Sequence, residues 1–195
     1  MTVSLRPARW NSLAIALHWL AGALIVFLLA EGWTMAHAGF DAATTFDLYQ
    51  LHKSFGFVVL ALTAARLGGR AAFTAPAAAP SALWEQRLAA LVQASLYMLT
   101  LAAILAGWLL VSTSPLAIPT KFFNLFVIPN IAGPDGALFA HATLAHALLA
   151  YAIAGLVALH VAGALKHHWI NRDDAVTRML PRRTLPSPVR ERGRG

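Results

Sequence analysis

Eight histidines lie in a chain of 195 residues that is 58% hydrophobic and only 12% charged. Imidazole is the commonest metal ligand among side chains, and an ionisable group within an apolar segment is costly enough that function is the default reading. Four of the eight, His18, His52, His146 and His160, fall in or at the edge of apolar runs. His146 and His160 share one run, fourteen positions apart. On a helix that spacing leaves them about 40° apart in azimuth and about 21 Å apart along the axis. They present one face but are too distant to ligate one metal, so each needs a partner at its own depth.

Four apolar stretches must position these residues: Leu13 to about Ala30, Phe55 to about Leu67, Leu88 to Val111, and about Leu138 to Leu165. Each reaches, alone or with its flanks, the roughly 20 residues that cross a hydrocarbon core about 30 Å thick. The expected architecture is all-α, a four-helix transmembrane bundle with helices at about 12–33, 50–69, 86–111 and 137–167. Together these form one membrane domain over residues 1–183, followed by a basic, disordered tail at 184–195. A cleaved leader accounts only for the first stretch. Pro76–Pro80 reads as a linker and Ser112–Gly136, with four prolines and Phe122, Phe123 and Phe126, as an ordered loop at the membrane interface.

Thirteen of the fifteen Lys and Arg residues fall in the amino end, the link between the second and third helices, and the carboxyl tail. By the positive-inside rule both termini are cytoplasmic. The net charge of +7 is therefore a matter of topology, and a nucleic-acid partner is not expected. The outer side keeps Lys53 and Lys121 beside Glu31, Asp41, Asp47 and Asp135.

That topology fixes the partners. His18 reaches the depth of His160 and His52 that of His146, giving two facing imidazole pairs. Such pairs suit two haems with bis-histidine ligation: His18 and His160 on the inner iron, His52 and His146 on the outer. Without cysteine the haems are held noncovalently, hence b-type, and covalent c-type attachment, thiolate sites and disulfides are excluded. Iron with two axial imidazoles has no open position, so electron transfer is the expected task. Gly22, Gly56 and Gly163, three or four residues after ligands, would let a flat ring approach the backbone. His141 is expected to point away from the pair, and His37 to be solvated in the outer loop. His167 and His168 sit at the inner headgroup level as anchors, or as proton carriers beside a quinone.

The matching stretches Leu17-His18-Trp19-Leu20, Leu51-His52-Lys53-Ser54-Phe55-Gly56, Leu96-Tyr97, Gly107-Trp108, His146 to Tyr151, Leu159-His160-Val161, Lys166-His167-His168 and Arg178-Met179-Leu180-Pro181 resemble the bacterial diheme cytochrome b-561 family, which includes relatives of hydrogenase cytochrome b subunits. The resemblance implies two b haems on the four histidines named, a bacterial inner-membrane location, and electron exchange with the quinone pool of a respiratory chain. Some relatives are proposed to oxidise superoxide on the outer side. Where relatives often carry a histidine in the third helix, this chain has Gln93.

The expected function is a membrane cytochrome passing electrons between an outer donor and quinone. No catalytic side chain is assigned. Lys53 and Lys121 could steer an anion such as superoxide or pair with haem propionates, and Arg66 and Arg70 could do the latter at the inner end. The alternatives are a relay subunit docking a soluble dehydrogenase or hydrogenase, a histidine-based metal-ion carrier, and a purely structural bundle.

Overall fold

A computed structural model of the chain describes residues 9–76 and 81–181. The basic tail, Arg6 and most of the Pro76–Pro80 linker lie outside the described residues. Four long helices dominate: α1 (Ser12–His37), α2 (Ala42–Ala72), α3 (Leu83–Thr113) and α4 (Gly136–Leu165). All four are long and apolar enough to cross a membrane, so the chain is an all-α, four-helix transmembrane bundle.

Capping explains where the helices begin. The Asn11 side chain accepts from the Ala14 amide at 2.7 Å, Asp41 from Ala43 and Thr44 at 3.0 Å, and Asp135 from Ala137 at 2.9 Å. Each takes up an amide that the first helical turn leaves without an intrahelical partner. Hydrogen bonds from the Thr44 amide and hydroxyl hold the Asp41 carboxyl below the usual carboxylate range. The Asp41 cap starts α2 eight residues before the position read from hydropathy, because an amphipathic outer turn has no apolar signature. His52 is consequently well inside a helix, and His37 is the last residue of α1 rather than part of a loop. Gly39, at φ +64°, turns the chain between α1 and α2.

The helices associate as two antiparallel pairs, α1 with α2 and α3 with α4, while α1 and α4 touch only sparsely. Few apolar side chains are fully buried; among them are Ile15, Ala21, Val59, Val92, Ala103, Ala142 and Ile153. Large apolar residues such as Leu91, Met98, Leu144, Leu148 and Leu159 are exposed, as lipid-facing surfaces require. Exposed tryptophans mark both interfaces, Trp33 at the end carrying the α1–α2 loop and Trp84 and Trp169 at the end carrying the termini.

The α3–α4 connection contains a short antiparallel hairpin that the sequence pattern did not suggest: β1 (Thr120–Phe122) and β2 (Phe126–Ile128). Its three-residue loop, 123–125, contains a turn closed by the Leu125 amide donating to the Phe122 carbonyl at 2.9 Å, with Phe123 and Asn124 at the positive φ that a mirror-image turn demands. Two buried polar residues of α2 anchor it. Gln50 donates to the Pro119 carbonyl at 3.0 Å and accepts from the Lys121 amide at 3.1 Å; the Ser54 hydroxyl accepts from the Phe123 amide at 3.0 Å. On the far side, Trp108 donates to the Pro129 carbonyl at 3.0 Å and the Ile131 amide to the Ser112 hydroxyl at 3.1 Å.

After α4 a π-helical turn (Lys166–Asn171) widens the last turn, and a 3-10 turn (Thr177–Met179) follows. This segment returns to α1, where Arg9 donates to the carbonyls of Thr177 and Leu180 at 2.7 and 2.6 Å and the Trp19 indole to that of Met179 at 2.6 Å. Replacing Gln50 by alanine strands the Pro119 carbonyl and the Lys121 amide. A loss of about 1–3 kcal/mol is expected, measurable as a lowered thermal midpoint in detergent and faster proteolysis of the hairpin.

Candidate functional site

The bundle brings the four intramembrane histidines together in two pairs. His18 of α1 and His160 of α4 have ring centroids 6.2 Å apart with an interplanar angle of 64°. His52 of α2 and His146 of α4 have centroids 6.1 Å apart at 82°. The first pair lies toward the end carrying the termini and the second toward the hairpin. Two imidazoles sharing a metal, each bonded at about 2.0 Å through a nitrogen about 1.1 Å from its ring centre, have centroids about 6 Å apart. Both pairs meet that distance. Among the described residues no three His, Cys, Asp or Glu side chains converge as a bare metal ion would need. A porphyrin brings four nitrogens of its own and asks the protein for two axial ligands, so the donor set fits haem better than it fits a free cation.

The rings are oriented by distinct partners. His146 Nδ1 is 2.8 Å from the Ala103 carbonyl of α3, which marks it as the protonated nitrogen and leaves Nε2 for a metal. His52 Nδ1 is 3.3 Å from a carboxylate oxygen of Glu31. The Arg66 guanidinium lies 3.1 Å from His18 Nδ1 and 5.1 Å over the Tyr97 ring. Arg66 therefore turns into the bundle instead of merely marking topology. Arg70 reaches Gln93, donating to its side-chain oxygen at 3.4 Å.

Two glycines beyond those the spacing suggested lie against the paired rings. A Cβ at Gly107 would lie 3.0 Å from His146 Cε1, and one at Gly32 would lie 3.4 Å from His52 Cε1. These two let neighbouring helices accept the imidazoles. Gly22, Gly56 and Gly163 have nothing within 4 Å of an added Cβ, which leaves a flat ring access to the backbone.

The remaining candidates are spread out. Lys121 sits in β1 and borders a shallow depression that Asp47 also lines. Lys53 is half-buried on α2 next to His52. His141 is exposed on α4. His37 stacks on Trp33 at 4.7 Å, with Nδ1 2.7 Å from the Trp33 carbonyl. His167 and His168 diverge: His168 is exposed, whereas His167 Nδ1 lies 2.5 Å from Asp173 Oδ2. Nearby, Lys166 meets Glu85 at 2.7 Å, tying the π turn to α3.

Glu31 and Arg66 are the site residues that the pattern alone does not reveal as partners. Glu31 counts in sequence with the acidic outer residues, yet it is only 8% exposed. The available signal was an acidic residue closing an apolar run, Ala30-Glu31-Gly32-Trp33, with no basic residue near it.

Burial acts to raise the Asp173 carboxyl, but hydrogen bonds from His167 and the Ala175 amide, with the charges of His167 and Arg178, outweigh it, so it titrates below the usual range. A carboxyl lowered on folding lends stability above its unfolded value, about 3.9, and withdraws it as pH falls through the folded value. Acidification below about pH 4 is therefore expected to open the His167–Asp173 contact, seen as faster amide exchange over residues 172–176. Asp173→Asn should abolish that pH step. Gly107→Ala is expected to push the His146 ring off the Ala103 carbonyl. The expected readout is a shifted His146 Nδ1–H resonance by NMR, with the His18 and His160 ring resonances unchanged.

Two comparisons bear on this geometry. The family model for prokaryotic cytochrome b561 matches residues 9–182. Cytochrome b561 homolog 2 of Escherichia coli strain K12 is 30% identical over 181 residues, covering 92% of this chain and 95% of its own length. Cytochrome b561 homolog 1 of the same strain is 29% identical over 182 residues, covering 90% and 98%. A match that runs through all four helices and every paired histidine places this chain in the prokaryotic cytochrome b561 family.

Proposed function

We propose that this multi-pass membrane protein is a diheme b-type cytochrome of the inner membrane, carrying electrons between a donor at the hairpin end and the quinone pool at the end bearing the termini. Membership of the b561 family implies haem b and electron transfer; the diheme count, the partners and the direction are our reading. The observation that carries it is the recurrence of one geometry, facing imidazoles at 6.2 and 6.1 Å, at two depths of a transmembrane bundle.

In this reading His18 and His160 hold one haem and His52 and His146 the other, and each bound haem supplies one-electron redox chemistry. The chain's own contribution is to fix the rings, keep water out and set the local field. Ala103 fixes the His146 tautomer through its carbonyl. The apolar helices exclude water around both pairs. Arg66 beside His18, and Arg70 one turn further along α2, would supply positive charge for haem propionates at this pair. The concentration of Lys and Arg near the termini supports placing that end in the cytoplasm. The outer donor, superoxide or a redox protein, would then meet the hairpin, where Lys121 is exposed.

The half-buried His167, with its Asp173 partner, and the exposed His168 lie at the headgroup level of the same end. They are the groups we assign to proton exchange with quinone. A histidine-based ion carrier is less well supported, since no cluster of three donors forms among the described residues.

The purified chain is expected to be red, with a Soret band that shifts on dithionite reduction and two haems per chain by pyridine haemochrome. His146→Ala should leave one haem, retained at the His18/His160 pair. A colourless wild-type protein, or both haems surviving in His146→Ala, would overturn the assignment. Turnover of a quinone by the protein purified alone separates a self-sufficient oxidoreductase from a subunit that needs a docked dehydrogenase.

A further inference from the structure

The two histidine pairs are alike in ring geometry and opposite in their polar surroundings. Beside the hairpin-end pair stands Glu31, whose side chain is 6% exposed. Both of its carboxylate oxygens and His52 Nδ1 are buried with no formed hydrogen bond among the described residues. The two groups are 3.3 Å apart. A buried carboxylate in a membrane helix is expensive unless something compensates it, and the polar group within reach is an imidazole nitrogen on the face of α2 that Gly32 admits. Beside the terminal-end pair stands a cation, the Arg66 guanidinium, 3.1 Å from His18 Nδ1.

We propose that Glu31 is a positioning residue for the hairpin-end site: its carboxylate takes the Nδ1–H of His52, making that ligand a stronger electron donor and holding the midpoint potential of the hairpin-end haem below that of the terminal-end haem. This rests on the diheme reading above. A carboxylate against the distal nitrogen of a ligating imidazole raises its basicity and stabilises the more positive, oxidised metal. In an apolar interior that influence is far larger than in water. Arg66 acts with the opposite sign on His18, favouring the reduced state at the other pair. With haem bound, these fixed charges would favour reduction at the terminal-end pair over the hairpin-end pair, so the chain's own residues would bias electron flow toward the end bearing the termini. The Ala103 carbonyl on His146 is neutral and does not reverse the ordering.

The test uses full-length protein carrying haem. His18→Ala isolates the hairpin-end haem and His146→Ala the terminal-end haem, and a pyridine haemochrome count of one in each checks the underlying diheme reading separately. Optical redox titration then reads the inference. The hairpin-end haem should titrate at the lower midpoint, and Glu31→Gln should move that midpoint upward while leaving the other in place. Glu31→Asp, which keeps the charge, should restore part of the shift. An unchanged hairpin-end midpoint in Glu31→Gln with haem retained overturns the role of Glu31. Should that variant fail to hold haem, the order of the two midpoints with Glu31 intact decides, and the reverse order overturns the proposal.

Discussion

The packing of this bundle is organised around one constraint, the placing of two imidazole pairs, 6.1 and 6.2 Å between ring centroids, at two separate depths in a medium that tolerates few polar groups. A close-packed four-helix core would not permit it. The chain meets the constraint by packing tightly within the α1–α2 and α3–α4 pairs and loosely between α1 and α4. The rings that bridge the pairs are steadied from outside the gap, by a backbone carbonyl of α3, a carboxylate of α1 and a guanidinium of α2. Small residues matter where an imidazole presses against a neighbouring helix, at Gly32 and Gly107, rather than throughout the core.

The pairing of the four histidines was legible because lipid makes histidine rare and because helical periodicity turns spacing into depth and azimuth. The four-helix architecture was legible for a similar reason, since long apolar runs have few alternative fates. What escaped was set by polar groups whose role depends on who faces them. Glu31 reads as one more acidic residue near a loop until α2 is laid against α1. Arg66 reads as an orientation signal until its side chain is seen to bend toward His18. The early start of α2 at Asp41 was hidden because a cap lies in the local backbone and leaves no trace in hydropathy. The β1–β2 hairpin was hidden because Phe123 is an unfavourable residue for positive φ; ring contacts with Phe55 at 5.2 Å and Phe122 at 4.9 Å hold it there.

The same polar groups tie the periphery to the centre. Gln50 and Ser54 flank His52 on α2 and hold the hairpin, so the hairpin surface is fixed to the helix that carries one of the paired histidines. At the other end the π turn and the Lys166–Glu85 and His167–Asp173 contacts fold the carboxyl segment back over the start of α1. Each end of the bundle thus has a collar built from hydrogen bonds, where lipid headgroups and water make polar groups affordable.

Both histidine pairs also straddle the chain's order of synthesis. His18 and His52 belong to the first helical hairpin to be made, and their counterparts at positions 160 and 146 both belong to the last helix. Neither pair exists until α4 has entered the bilayer, so a truncation after α3 would keep one ring of each pair and leave both without the counterpart that faces it.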